Sequence, residues 1–284
     1  MPRCPTMSTP PREKLHSLRA APLSPVLTER SVRVVAAVKL HRQVVRWRSR
    51  RFLVEGPNLV KAASVRGLVR DVFVTEVAAQ RHAALLAVLD CPVYPVSERA
   101  AKALSDTVTP TGLVAVCEMP MTRLATVLAS SPRLVVVAVG IGEPGNAGTV
   151  IRIADAMGAA AVIFGGHTVD PYNGKCLRSS AGSIFSIMVV VAPDAYAAVM
   201  EFRAAGLQVL ATTVDGETPL DEAESLLDKP TAWLFGPESH GLSTEIAEAA
   251  DFRVSIPMVG GAESLNVAVA AAICLYQSSR ALRR

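Results

Sequence analysis

The hydrophobic positions change character about two-fifths of the way along the chain. In the earlier part they form short groups: Phe52-Leu53-Val54, Val72-Phe73-Val74, Val93-Tyr94-Pro95-Val96 and Leu113 to Cys117. Between the groups the apolar spacing is helical. Val34, Val35 and Val38, with Val45, share one side of a stretch that starts at Leu27. Leu59, Val60 and Ala63 form a second helix that Gly67 stops, residues 79–89 a third, and Ala101 with Leu104 a fourth behind a Ser97 cap. Strands alternating with helices over about 90 residues predict a small α/β domain.

From Leu134 to Val139 the pattern is a continuous β-branched run, the mark of a parallel strand buried on both faces. Further strands are predicted over 160–164, 187–191, 208–213, 231–235 and 252–255. Helices are predicted over 147–157, 194–205, 221–227 and 243–250, with a long small-residue helix from Ser264 to Ser279. The fold class is therefore α/β, with a small domain over 27–118, a linker over 119–131 and a larger, mostly parallel domain over 132–284. Residues 1–26, carrying six prolines, read as a flexible tail.

Composition narrows the class. Half of the 284 residues are apolar and 19% are charged, which is too hydrophobic for a disordered protein. No apolar run has membrane-spanning length, and Met1-Pro-Arg-Cys-Pro lacks a signal core, so a cytoplasmic protein is expected. The five cysteines lie far apart without a C-x-x-C pair, so neither a metal site nor a disulfide framework is expected.

Charge is split. Residues 1–130 carry 19 Lys and Arg against 9 Asp and Glu, a balance of +10, whereas residues 131–284 carry 10 against 16, a balance of −6. The excess is densest from Arg30 to Arg51, where no carboxylate intervenes to form helical ion pairs. Arg42, Arg46, Arg48, Arg50 and Arg51 are candidate phosphate contacts, and Trp47 and His41 among them are candidate base-stacking groups.

Three loops carry the candidate chemistry. Gly140 to Arg152 is glycine-dense and precedes a helix, but Gly142, Gly145 and Gly148 recur every third residue, which is neither G-x-G-x-x-G nor a P-loop. Arg152 falls within the predicted helix among apolar residues and needs a partner, such as Asp155, or a task. Leu234 to Leu242 is a glycine-rich turn at a strand's carboxyl end, where α/β ligand sites form, and holds Glu238. Ile256 to Val267 ends a strand at Pro257 and turns at Gly260-Gly261. Ser264 is expected to cap the last helix, with Asn266 inside its first turn.

In this order, Asn146 to Arg152, Phe235 to Leu242 and Ile256 to Val267 resemble motifs 1, 2 and 3 of the SpoU branch of the SPOUT superfamily, the TrmH-like ribose 2′-O-methyltransferases of RNA. Asp170-Pro171-Tyr172 through Lys175, Arg178, Ser179, Gly182, Ser183 and Phe185 is similar to the family's middle stretch. Phe52 to Val60 and Val108 to Val116 resemble the L30e-like substrate-binding domain of rRNA-directed members.

The resemblance implies a C-terminal trefoil knot, a homodimer, S-adenosyl-L-methionine as cofactor and RNA, chiefly 23S rRNA, as substrate. It assigns catalysis to Arg152, supported by Asn146, Glu238, Ser264 and Asn266. It assigns cofactor contacts to Gly236, Ile256, Met258 and Leu265, with Thr212 and Thr213 beside them. A tRNA ribose methyltransferase, a thiostrepton-resistance rRNA methyltransferase and a non-enzymatic ribosome-assembly factor are the alternatives.

Overall fold

The computed structural model describes residues 25–237 and 239–283. Nearly all of the expected N-terminal tail, and Glu238, lie outside the described residues. Four strands form the first sheet: β1 (Arg51–Glu55), β2 (Val69–Val74), β3 (Val93–Pro95) and β4 (Leu113–Glu118), in the order β1-β4-β2-β3. β4 runs antiparallel to both β1 and β2, and β3 is parallel to β2.

The helix expected to run on from Leu27 is broken into Val32–Val38, a 3-10 turn Lys39–His41 and Gln43–Ser49. The carbonyls of Leu40 and His41 accept hydrogen bonds from Arg46 Nη1, at 2.9 and 2.8 Å, and Arg42 is extended there. A guanidinium thus takes carbonyls that a continuous helix would have used itself.

The second sheet contains β5 (Leu134–Val139), β6 (Ala161–Gly165), β7 (Met188–Ala192), β8 (Gln208–Thr212), β9 (Thr218–Pro219), β10 (Thr231–Phe235) and β11 (Phe252–Ser255). Its order is β7-β6-β5-β10-β8-β11-β9, and every pairing is parallel. The period of two divides β5 between two cores. Leu134, Val136 and Ala138 face the helices Pro144–Ala156 and Val267–Ala281, whereas Val135, Val137 and Val139 face Ala195–Ala204. Two elements escaped the hydrophobic pattern: the two-residue strand β9 and the helix Gly174–Ser180.

That missed helix is central to the packing. It lies so close to Pro144–Ala156 that a Cβ on Gly148 would collide with the Cys176 carbonyl and sit 2.7 Å from Ser179 Cβ, so only glycine fits there. The segment from Asp170 to Phe185 also joins the two sheets. Tyr172 packs against Phe52 at 4.8 Å between ring centroids and edge-on against Trp47 at 6.4 Å. Phe52 stacks near Phe185, and a single hydrophobic core runs from β1 and β4 through Tyr172 into the second domain.

Candidate active site

The parallel sheet brings its strand ends to one edge, and three loops meet there. The loop after β5 approaches the loop after β10: a Cβ on Gly140 would lie 3.7 Å from the Pro237 ring. The loop after β11 reaches the first through a hydrogen bond of 3.1 Å from Asn266 Nδ2 to Asn146 Oδ1. The three segments singled out in the sequence therefore converge.

Their local structure differs from expectation in two respects. The first helix begins at Pro144, with Glu143 as its cap, so Asn146 lies in the first turn rather than in the loop. Glu143 accepts from the Asn146 backbone N–H at 2.8 Å and pairs with Lys175. That lysine, with the backbone N–H groups, holds the Glu143 carboxyl below its usual range. The acidic cap followed by proline at the first helical position was readable in the sequence.

The last helix begins at Val267, and its cap is Asn266, whose side chain accepts from Ala268 N–H at 2.9 Å. Ser264 precedes the helix and is not the cap. Capping accounts for one end of the Asn266 amide, and the other end is the group turned to Asn146.

Between the loops lies an open cleft of about 660 Å³, a volume that includes space open to solvent. Gly236, Ile256, Met258, Leu265, Thr212 and Thr213 all line it. Ser264 lines it as well, together with residues not foreseen: Val214, Phe235, Pro237, Gly241 and Val267. The lining is mostly aliphatic, as a flat heterocycle requires.

Two features fit a polar-edged ligand. The hydroxyls of Thr212 and Thr213 are buried without a hydrogen-bond partner, although orphaned buried polar atoms are uncommon. The Cys274 thiol beside Thr212 is a weak partner at best, and burial pushes it up to about 12. At Gly236 an added Cβ would stand 2.5 Å from the Gly241 carbonyl carbon and the Leu242 nitrogen, so any side chain would force the loop open.

Arg152 is not part of this lining. It is exposed on the helix Pro144–Ala156 and forms no ion pair with Asp155 or any other described residue. Six residues beyond Asn146, it lies about 9 Å along the helix and about 120° around it. The structure thus brings Asn146, Asn266, Ser264 and the six cleft residues together and leaves Arg152 facing outward.

The basic stretch divides similarly. Arg42, Arg48, Arg50 and Arg51 are exposed, but Arg46 is only 5% exposed. Its Nε and Nη2 meet Asp170 Oδ2 at 2.7 and 2.6 Å. Arg46 was expected at an RNA phosphate; the structure corrects this, because the side chain is spent on a buried ion pair across the domain junction. His41, expected to stack on bases, supplies its carbonyl to the same arginine.

Among the described residues no cysteine lines the cleft, and burial pushes the Cys176 thiol up to about 12. Among the described residues no helix is long and apolar enough to cross a membrane. None of their His, Cys, Asp and Glu side chains are grouped to hold a metal ion.

Comparison with known proteins gives a consistent result. Residues 133–276 match the SpoU rRNA Methylase family, and residues 32–115 match an MRM3-like substrate binding domain. The 23S rRNA (guanosine(2553)-2′-O)-methyltransferase RlmP of Bacillus subtilis is 38% identical over 84% of this chain and 92% of its own. The crystal structure of the SpoU methyltransferase AviRb from Streptomyces viridochromogenes superposes with a TM-score of 0.79 at 32% identity, covering 89% of this chain and 98% of that one. An AdoMet-bound rRNA methyltransferase from Sinorhizobium meliloti gives 0.78 at 30% identity, covering 90% and 98%.

Proposed function

The chain belongs to the SpoU rRNA methylase family, and from that premise we propose that it methylates a ribose 2′-hydroxyl of 23S rRNA as a cytoplasmic homodimer with a knotted C-terminal domain. The cofactor is S-adenosyl-L-methionine. The observation that carries the reading is the aliphatic cleft with two orphaned threonine hydroxyls, framed by the three convergent loops.

When bound, S-adenosyl-L-methionine supplies a methyl group on a sulfonium sulfur, open to in-line attack by an oxygen. Ile256, Met258 and Leu265, which line the cleft, would enclose the flat face of the adenosine, and Gly236 would let the backbone approach it. The Thr212 and Thr213 hydroxyls meet its polar edge. Asn146 and Asn266, joined at 3.1 Å, hold the ribose in register, with Ser264 at the rim. Glu238 keeps the supporting role that the family resemblance gives it.

Arg152 would stabilise the 2′-oxygen as its proton passes to water or a neighbouring phosphate oxygen, the O–CH3 bond forming as the S–CH3 bond breaks and leaves a neutral thioether. Its planar guanidinium, with five N–H donors, is suited to holding a developing oxyanion. Its outward position supports a dimer in which it serves the partner's cleft. Val269 and Tyr276, 48% and 51% exposed on the helix Val267–Ala281, supply apolar surface for such a contact.

The test is transfer of labelled methyl from S-adenosyl-L-methionine to an unmodified 23S rRNA transcript, followed by mapping of 2′-O-methyl groups. One modified ribose is expected. Label on a base, or no transfer by protein that binds the cofactor, would refute the proposal.

A further inference from the structure

A second groove opens on the same edge of the parallel sheet, at the carboxyl ends of β6 and β7. Its volume is about 880 Å³, and Gln43, Trp47, His167, Thr168, Pro171 and Val191 are among its walls. It lies outside the cofactor cleft, which is built on β8, β10 and β11. β5 separates the two, and neighbouring strands are about 5 Å apart.

The wall of this groove is fastened to the catalytic loop. Val169 N–H donates to the Ile141 carbonyl at 2.8 Å, and Gly140 N–H donates to the Gly165 carbonyl at 3.0 Å. The wall of the groove is therefore held in fixed register with the loop that leads to Asn146.

Three observations define the occupant. Trp47 is half-buried and set edge-on against Tyr172, so its ring is oriented before anything binds. Gln43 and His167 are exposed and bring hydrogen-bonding groups to the same space. The one carboxylate in the wall, Asp170, is neutralised by Arg46, while Arg42 and Arg48, five residues before Trp47 and one after it in the chain, are exposed. A ring, amide and imidazole groups, and uncompensated flanking cations suit an unpaired nucleotide: base on the ring, phosphates on the arginines.

We propose that this groove holds an unpaired nucleotide flanking the methylated one, with its base stacked on Trp47 and its edge read by Gln43 and His167. This rests on the proposed RNA methylation and adds a substrate subsite to it.

The protein has two tryptophans, and Trp233 is wholly buried with its indole N–H on Ser278. In the full-length Trp233→Phe protein, emission comes from Trp47 alone. Hexauridylate and the 23S rRNA transcript are both expected to quench it, more weakly at high salt. Trp47→Leu is expected to raise KM for the transcript about tenfold. Trp47→Phe retains a KM near that of the native protein, and kcat and cofactor Kd change less than twofold. Trp47→Leu could disturb packing, so the exposed pair Gln43→Ala/His167→Ala provides a second variant, expected to raise KM about threefold to fivefold.

Unquenched Trp47 emission while labelled transcript is bound, or an unchanged KM in both variants, would overturn the inference. Native protein that binds S-adenosyl-L-methionine but methylates no RNA would refute the parent reading instead, and the quenching would still decide the groove.

Discussion

In the seven-stranded sheet every strand runs the same way, so the loops after β5, β8, β10 and β11 reach one edge, and those after β8, β10 and β11 line one cleft. In the four-stranded sheet β4 runs against β1 and β2, and its loops are divided between opposite ends. Parallel topology therefore gathers side chains that lie far apart in sequence, such as Asn146 and Asn266, to within a hydrogen bond. The mixed sheet gathers a polar cluster of its own, in which the Glu55 carboxylate at the end of β1 accepts from Ser105 Oγ at 2.7 Å and from the Thr111 N–H at 2.9 Å. One of its faces, Phe52, Val54, Ala115 and Cys117, joins the core of its neighbour, while the other, Phe73, Val114 and Val116, packs under the helices Val32–Val38 and Glu98–Leu104. On the proposed function, one region does chemistry on a single nucleotide and the other holds the polyanion.

The largest effect that would sharpen this contrast is expected at Arg152. Arg152→Ala should lower methyl transfer about 10²- to 10³-fold, the usual cost of losing a preorganised charge stabiliser, while cofactor titration gives an unchanged Kd. Arg46→Ala should leave cofactor chemistry alone and damage the junction, because Asp170 would be buried without its partner. Urea unfolding should show a loss of about 3–5 kcal/mol, and Arg46→Met/Asp170→Leu should recover most of it. If Arg46→Ala instead weakens RNA binding without loss of stability, the distinction between buried and solvated arginines fails.

A smaller effect is expected at the exposed cations. Replacing Arg48, Arg50 and Arg51 singly by alanine should weaken RNA binding a few-fold each. Each should also lower the slope of log K against log salt by about one. The smallest effect concerns the shared core. Cys117 in the first domain and Cys274 in the second are both buried, and burial raises both thiols above their ordinary pKa. Both should resist a disulfide reagent in the native protein and become reactive at the same denaturant concentration. Separate transitions would mean that the two sheets unfold independently.

This continuity also bears on truncation. Removing residues 1–118 would expose Tyr172, Phe185 and their neighbours, so single substitutions separate RNA binding from cofactor binding more cleanly than domain deletion.

Much of the site was legible because strand-end loops carry glycines and cap residues at fixed spacing, and every cofactor contact expected from the resemblance lines the cleft. What was misread depended on distant partners. Ser264 and Asn266 are both good caps, and the choice between them accompanies a bond to Asn146, 120 residues away. Arg46 looks like its neighbours in a run of charges, and its burial is set by Asp170, 124 residues later. The helix break at Lys39–His41 follows from that same arginine. The helix Gly174–Ser180 was missed because it is only seven residues long and carries Lys175, Arg178 and Ser179 between its buried positions.

The separation between the cleft and an exposed guanidinium outside its lining is tested most directly by mixing two inactive variants. Arg152→Ala keeps the cleft and loses the cation, whereas Gly236→Val keeps the cation and closes the cleft. Co-expressed and purified as mixed dimers, they contain one intact cleft opposite one intact Arg152. Methylation of the 23S rRNA transcript should then return to a substantial fraction of the native rate. Mixed dimers as inactive as either parent would contradict an Arg152 that serves the partner's cleft.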